Sequence, residues 1–217
     1  MTLIDNIRKL QKTLVLPEHS IVPPHNPETA FIGCVDARVD PTSNLGIPRG
    51  KALIMRNIAA LISGMEGKEN DDRPNESSFV EFAVREKKVR DFVVMGHTHC
   101  GGIEACLHGA DLPHVQRHLA PLQETRDRIR AQGGTLDEQA RAMEQEAVRQ
   151  SLHNLRTYPE VAAAEQAGTL TLHGWVIEIE TYRLMVLDPV SNEFKPMHEQ
   201  QLDRGFAAMP PPPSRGR

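Results

Sequence analysis

Apolar residues recur at helical spacing from the start of the chain, at Leu3, Ile4, Ile7, Leu10 and Leu14, until Pro17 ends the pattern. An amphipathic N-terminal helical arm over residues 1–16 is expected. Pro23, Pro24 and Pro27 then keep the chain extended up to a short apolar run at 30–34, the first strand. A second buried strand is read at 51–56, followed by a polar, glycine-containing loop over 61–74. Phe79, Val80, Ala83 and Val84 mark a helix over 77–88, which leads into a third strand at 91–95. After Gly102 the pattern is helical at 103–107, 115–129 and 136–155, with Gly133 and Gly134 separating the last two. Residues 169–180 alternate and are rich in β-branched side chains, so they form a strand, and 184–187 folds back on it as a hairpin. Strands alternating with helices predict an α/β fold. Its central sheet is mostly parallel, covered by helices on both sides, and its site lies at the carboxyl ends of the strands. The proline-rich tail, 209–217, cannot form a core and is expected to be disordered.

Composition narrows this picture. With 217 residues the chain is read as one domain over 1–208, long enough to bury roughly 70% of the surface its unfolded form would expose. A net charge of −4, from 25 basic and 29 acidic residues, offers nucleic acid or an anionic membrane no basic surface to read. The first residues lack the charged start, apolar core and cleavage site of a secretory signal, and no run approaches the ~20 apolar residues of a membrane span. Three cysteines exclude a disulfide framework and suit a reducing cytoplasm. Cys106 is expected to be a small buried helix residue.

The candidate chemistry lies in two short stretches. In Phe31-Ile-Gly-Cys-Val-Asp-Ala-Arg38, the residues Cys34, Asp36 and Arg38 stand at alternate positions. On a strand leaving a sheet, that spacing points all three side chains to one face, with the carboxylate gripped by the guanidinium. The second stretch, His97-Thr-His-Cys100-Gly101-Gly102, ends another buried strand and carries His97 and Cys100 at ligand spacing. Cys34, His97 and Cys100 would make a Cys2His site suited to Zn2+ with its fourth position open. A closed structural zinc site, with Asp36 as a permanent fourth ligand, is the alternative, and the Asp36–Arg38 pair could be a simple ion pair. His99 and His173 are expected in supporting roles.

Cys-x-Asp-x-Arg followed by His-x-x-Cys-Gly resembles the β-class carbonic anhydrases. So do the Met55-Arg-Asn-Ile-Ala stretch, Val80-Glu-Phe-Ala-Val84 and Leu172-His-Gly-Trp-Val176. The resemblance implies that family's fold, one Zn2+ per chain, and reversible hydration of CO2 to bicarbonate and a proton by zinc hydroxide. Asp36 and Arg38 would orient that hydroxide, and an inactive state is implied in which Asp36 becomes the fourth zinc ligand. A homodimer or higher even oligomer is also implied, with the N-terminal arm packed on a neighbouring subunit. On the substrate side, His25 stands where many relatives carry glutamine and Ala60 where asparagine is common, with Gly101 and Gly102 beside them. Some relatives with this fold hydrolyse carbonyl sulfide or carbon disulfide, and Asn44-Leu-Gly-Ile47 is similar to their branch. A catalytically silent zinc-binding assembly protein is the third reading.

Overall fold

The computed structural model describes residues 2–13, 25–65 and 74–197. The 209–217 tail and most of the expected 61–74 loop lie outside that range. Among the described residues, six strands form one sheet in the order β2-β1-β3-β4-β5-β6, with β1 Thr29–Cys34, β2 Ala52–Asn57, β3 Asp91–His97, β4 Thr171–Ile177, β5 Leu184–Leu187 and β6 Phe194–Pro196. The first four are mutually parallel. β5 and β6 run antiparallel, so the expected hairpin is present and is extended by a three-residue strand too short to show alternation in sequence. β1 and β3 are central and buried almost throughout, which is why they read as unbroken apolar runs.

The helices are α1 Leu3–Thr13, α2 Pro41–Leu45, α3 Pro74–Glu81, α4 Gly101–His108, α5 Pro113–Leu119, α6 Gln123–Gln132, α7 Leu136–Leu155 and α8 Pro159–Gln166. α3 runs into a π-helical turn, Phe82–Glu86, and together they cover the expected 77–88 segment as far as Glu86. The single helix expected over 115–129 is two, because Pro121 lacks a donor and falls in a 3-10 turn, Ala120–Leu122, that separates α5 from α6. α8 was not expected. It starts on Pro159 at its first turn, a placement proline tolerates, and carries too few apolar residues to show a stripe.

The longest helix, α7, sets the core. Its start is fixed by a capping box in which the Glu138 N–H donates to Thr135 Oγ1 at 3.2 Å and the Thr135 N–H to Glu138 Oε2 at 2.7 Å. It buries Ala140, Met143, Glu144, Ala147, Val148, Ser151, Leu152 and Leu155, one stripe at helical spacing. Val148, Leu152 and Leu155 pack with Ala30, Ile32, Phe92, Val94 and Val176 from one face of the sheet. The opposite face carries Phe31, Val93, Met95, Trp175, Ile177 and Val186.

Helices lie on both faces of the sheet, as expected, but unequally. Among the described residues only α2, through Leu45, contributes a helix to the second face, and a cavity of about 510 Å3 opens there between Phe31, Ile47, Val93, Trp175 and Leu184. Alternation of strand and helix fixes that the chain must cross over, not which face each crossover takes. The arm, α1, buries none of its residues in this chain, and Leu3, Ile4, Ile7 and Leu10 are all exposed.

Candidate metal centre

β1 and β3 are neighbours in parallel register, so their carboxyl ends fall at one edge of the sheet: Cys34 closes β1 and His97 closes β3. The turn after β3 returns Cys100 as the residue capping α4. The donor atoms of Cys34, His97 and Cys100 all lie within 4.8 Å of one another, and all three residues are buried. The two sulfurs are 3.9 Å apart. Two ligands at Zn–S ≈ 2.3 Å in a tetrahedral site would be roughly 3.8 Å apart, so the spacing fits the ion. His97 fits as well. Its Nδ1 lies 2.8 Å from the Thr98 carbonyl, which fixes the proton on Nδ1 and leaves the Nε2 lone pair free. That Nε2 is buried without a hydrogen-bond partner among the described residues, an orphan that a cation would satisfy.

Asp36 and Arg38 reach the group by another route than the strand alternation expected of them. β1 stops at Cys34, and a turn follows in which the Val39 N–H donates to the Asp36 carbonyl at 3.0 Å. Within that turn Arg38 holds the carboxylate at both oxygens, Nε to Oδ1 at 3.0 Å and Nη2 to Oδ2 at 2.7 Å, while its own N–H donates to Oδ1 at 2.9 Å. Asp36 Oδ2 lies 4.0 Å from His97 Nε2, at the edge of the donor group. Arg38 Nη2 also donates to the His99 carbonyl at 3.0 Å, so the pair is tied to the turn that carries Cys100.

Electrostatics follow from these contacts. The Arg38 guanidinium holds the Asp36 carboxyl well below the usual carboxylate range. The Cys34 thiol is pulled down, chiefly by the hydrogen bond with Cys100, whose own thiol is pushed up by that contact and by burial. A dication bound by both sulfurs would displace a proton lying between them. Burial works against protonation of His97, but Cys34, the Thr98 carbonyl and Asp36 together outweigh it and raise the ring above the ordinary imidazole value.

Of the substrate-side residues, Gly101 and Gly102 open α4 directly beside Cys100. Ala60 is placed otherwise than expected: its methyl is buried in the main core with Ala30 and Ile32. Its neighbour Ala59 is the one that packs with Cys34 and Cys100. Both adopt left-handed backbone, φ 61° at Ala59 and 54° at Ala60, and the turn is held by Asn57, whose side chain pairs with the N–H and carbonyl of Leu61 at 2.8 and 2.7 Å. His25 is exposed in the coil before β1 and is not brought to the group. Glu28 is hydrogen-bonded alongside Lys51 and Arg90 at the amino end of the sheet, roughly 20 Å of strand from Cys34, whereas the three residues back to His25 span at most about 11 Å.

Sequence reasoning passed over three residues. Arg56 clamps the Cys34–Val39 turn, donating to the carbonyls of Cys34 at 2.7 Å, Asp36 at 2.7 Å and Val39 at 2.5 Å. Ala59 is the second. Glu144 is the third, and it was legible as the one charge on the apolar stripe of α7. The supporting histidines are paired: His99 with Glu180, and His173 with Asp91 at 2.8 Å. Cys106 is buried in α4, as expected.

Fold and donor set together define an α/β protein with a three-donor, Cys2His metal-type centre at the carboxyl ends of two parallel strands. The family model described as carbonic anhydrase matches residues 29–184. The chain is 34% identical over 189 residues to a carbonic anhydrase of Pseudomonas aeruginosa, covering 85% of this chain and 84% of that one. It is 30% identical to β carbonic anhydrase 6, mitochondrial, of Arabidopsis thaliana over 76% of its length, and spans 60% of that longer relative. Among solved structures, the β-carbonic anhydrase CcaA superposes with a TM-score of 0.72 at 25% identity, covering 89% of this chain and 90% of that one. One of the tetrameric β-carbonic anhydrases of Sordaria macrospora gives 0.67 at 27% identity over 75% of this chain and 81% of that one. The chain belongs to the β-class carbonic anhydrase family.

Proposed function

We propose that this chain catalyses the reversible hydration of CO2 to bicarbonate and a proton, with one Zn2+ held by Cys34, His97 and Cys100. The observation that carries the reading is a three-donor group with a carboxylate at its edge that is already locked by an arginine. Zinc bound there supplies a Lewis acid that acidifies a water at its remaining position, less strongly than with three imidazoles because two thiolates offset its charge. The rest of the work falls to the chain. Asp36, kept ionised by Arg38, accepts a hydrogen bond from the reacting water and aims its lone pair at the carbon of CO2. Gly101 leaves room beside Cys100 for CO2 to approach and bicarbonate to leave, while Gly102 lets the turn pack against Ile58 and Ala59. Release of Asp36 by Arg38 would let the carboxylate take the fourth ligand position instead, an inactive state.

The working unit is a homodimer or a higher even oligomer in which the α1 arm of one copy packs at the cavity on the second sheet face of another. The apolar stripe on α1 and the apolar cavity beside Trp175 both lack a partner among the described residues and match in chemistry. Residues 1–208 act as one domain in this reading. Three free cysteines suit a reducing cytoplasm.

Stopped-flow CO2 hydration, run beside carbonyl sulfide hydrolysis and zinc analysis, tests the reading. Hydration with about one zinc per chain, lost together with the metal in Cys34→Ser, is expected. Full activity in zinc-depleted protein would overturn the metal assignment, and hydrolysis of carbonyl sulfide without CO2 hydration would replace the substrate.

A further inference from the structure

Glu144 sits in the middle of α7 with 3% of its surface exposed, directly behind the donor group. One oxygen accepts the Cys100 backbone N–H at 3.1 Å. The other lies 3.1 Å from Nη1 of Arg141, one turn earlier on the same helix, and makes no hydrogen bond of good geometry. Together with Gly96, His97, Cys100, Ile103, Ala59 and Ala147 the side chain lines a void against the donor group, about 10 Å3 in volume. Nothing assigned so far to Asp36, Arg38 or the three donors uses this carboxylate. Burying it in an apolar stripe is unfavourable, so it is expected to serve something nearby.

The turn between His97 and Cys100 needs an outside hold. His99 adopts left-handed backbone, φ 52°, which a residue with a Cβ resists. Thr98 is tied on the other side, where its hydroxyl accepts the Ile179 N–H and donates to Glu180, both at 2.9 Å. On the α7 side the carboxylate of Glu144 makes the corresponding tie. The helix lies close against the strand that leads into the turn: a Cβ on Gly96 would meet Val148 Cγ2 at 2.8 Å. Cys100 N–H is therefore fixed by a buried acceptor carried on a rigid element, and fixing that N–H fixes the direction in which the Cys100 sulfur leaves the backbone.

We propose that Glu144, backed by Arg141, is a positioning residue of the metal centre: it orients Cys100 so that its sulfur and that of Cys34 are set for one tetrahedral ion. This rests on the zinc reading above. The test uses full-length protein loaded with Zn2+, with affinity measured by chelator competition, and with Co2+, read by its absorption bands. Glu144→Ala removes the acceptor, Glu144→Gln keeps an acceptor oxygen without the charge, and Glu144→Asp keeps the charge but draws the oxygen back by one methylene. Loss of about 10- to 100-fold in zinc affinity with shifted cobalt bands is expected for Ala and Asp, the scale seen when a group supporting a ligand is lost, with Gln recovering most of both. If Glu144→Ala does not fold, the Gln and Asp variants decide. Asp equal to or better than Gln, or wild-type affinity and cobalt bands in every variant, overturns the proposal. A wild-type protein that takes up neither metal overturns the zinc reading itself, and this one with it.

Discussion

At the scale of single residues, Asp36 carries the most consequence for the least material. Its carboxyl is lowered in the folded chain by Arg38, against an ordinary value near ~3.9 in the unfolded one. A depressed folded value means the pair stabilises the protein above about pH 4, and that this contribution disappears as pH falls toward the folded value. Asp36→Asn should therefore lose about 1 kcal/mol, below the range for buried charged hydrogen bonds because Arg38 is half exposed. The difference in Tm should stay level from pH 5 to 8 and shrink below pH 4, while zinc content stays near that of wild type and kcat falls at every pH. A gap that instead widens toward acid would mean the carboxyl is not held ionised. The two glycines beside Cys100 make a second, contrasting pair. A Cβ on Gly102 would meet Ile58 Cγ2 at 2.5 Å and the Ala59 Cβ at 3.3 Å, pushing on a turn already in left-handed backbone. Gly102→Ala should cost about 1 to 3 kcal/mol by overpacking and loosen the metal with it. On Gly101 the same atom meets nothing within 4 Å. Gly101→Ala should leave Tm unchanged and lower kcat/KM through the approach of CO2 alone, as melting curves and hydration kinetics on the two variants would report.

At the scale of elements, what could be read in advance follows the strength of periodic burial. The 136–155 helix was legible to the residue because its stripe is long and its cap explicit, and β1 and β3 because strands buried on both faces are apolar throughout. The donor group was legible from spacing, since two strand ends and one tight turn bring Cys34, His97 and Cys100 together whatever the rest of the chain does. The Asp36–Arg38 pair was expected on strand alternation but is assembled by a turn that Arg56 clamps through three carbonyls. That clamp spans neighbouring strands, so no local pattern encodes it. Ala59 and Ala60 were hidden for a related reason: which of two adjacent alanines faces the donors depends on left-handed backbone that neither residue announces. The fit of α7 on the sheet depends on two glycines in the strands beneath it. A Cβ on Gly174 would meet Leu152 Cδ1 at 2.8 Å, Val148 Cγ1 at 3.0 Å and Leu187 Cβ at 3.3 Å. Gly174→Ala should destabilise by about 1 to 3 kcal/mol in urea unfolding. An unchanged midpoint would mean the helix can slide on β4.

At the scale of the whole molecule, the feature in need of an explanation is the sheet face that carries one short helix among the described residues and a cavity beside Trp175. Trp175 is the chain's single tryptophan; it lines the 510 Å3 cavity and its indole N–H is buried without an acceptor among the described residues. Such a donor beside apolar surface suits an incoming backbone or side-chain oxygen. The arm offers what the face lacks: Leu3, Ile4, Ile7 and Leu10 on one side of α1, held away from the core of their own chain. Burying each would contribute up to about 1.5 to 3 kcal/mol, and tenfold in Kd needs about 1.4, so an arm docked on a second copy would account for a stable association. Deleting residues 1–16 should weaken that association by at least about tenfold, read by sedimentation. The same deletion should shift Trp175 emission to longer wavelength, because the cavity beside the ring opens to water. Dilution of the full-length protein should produce the same shift at the concentration where sedimentation shows it dissociating. A truncated chain that sediments as the full-length assembly, with unshifted emission, would show that something other than the arm covers this face.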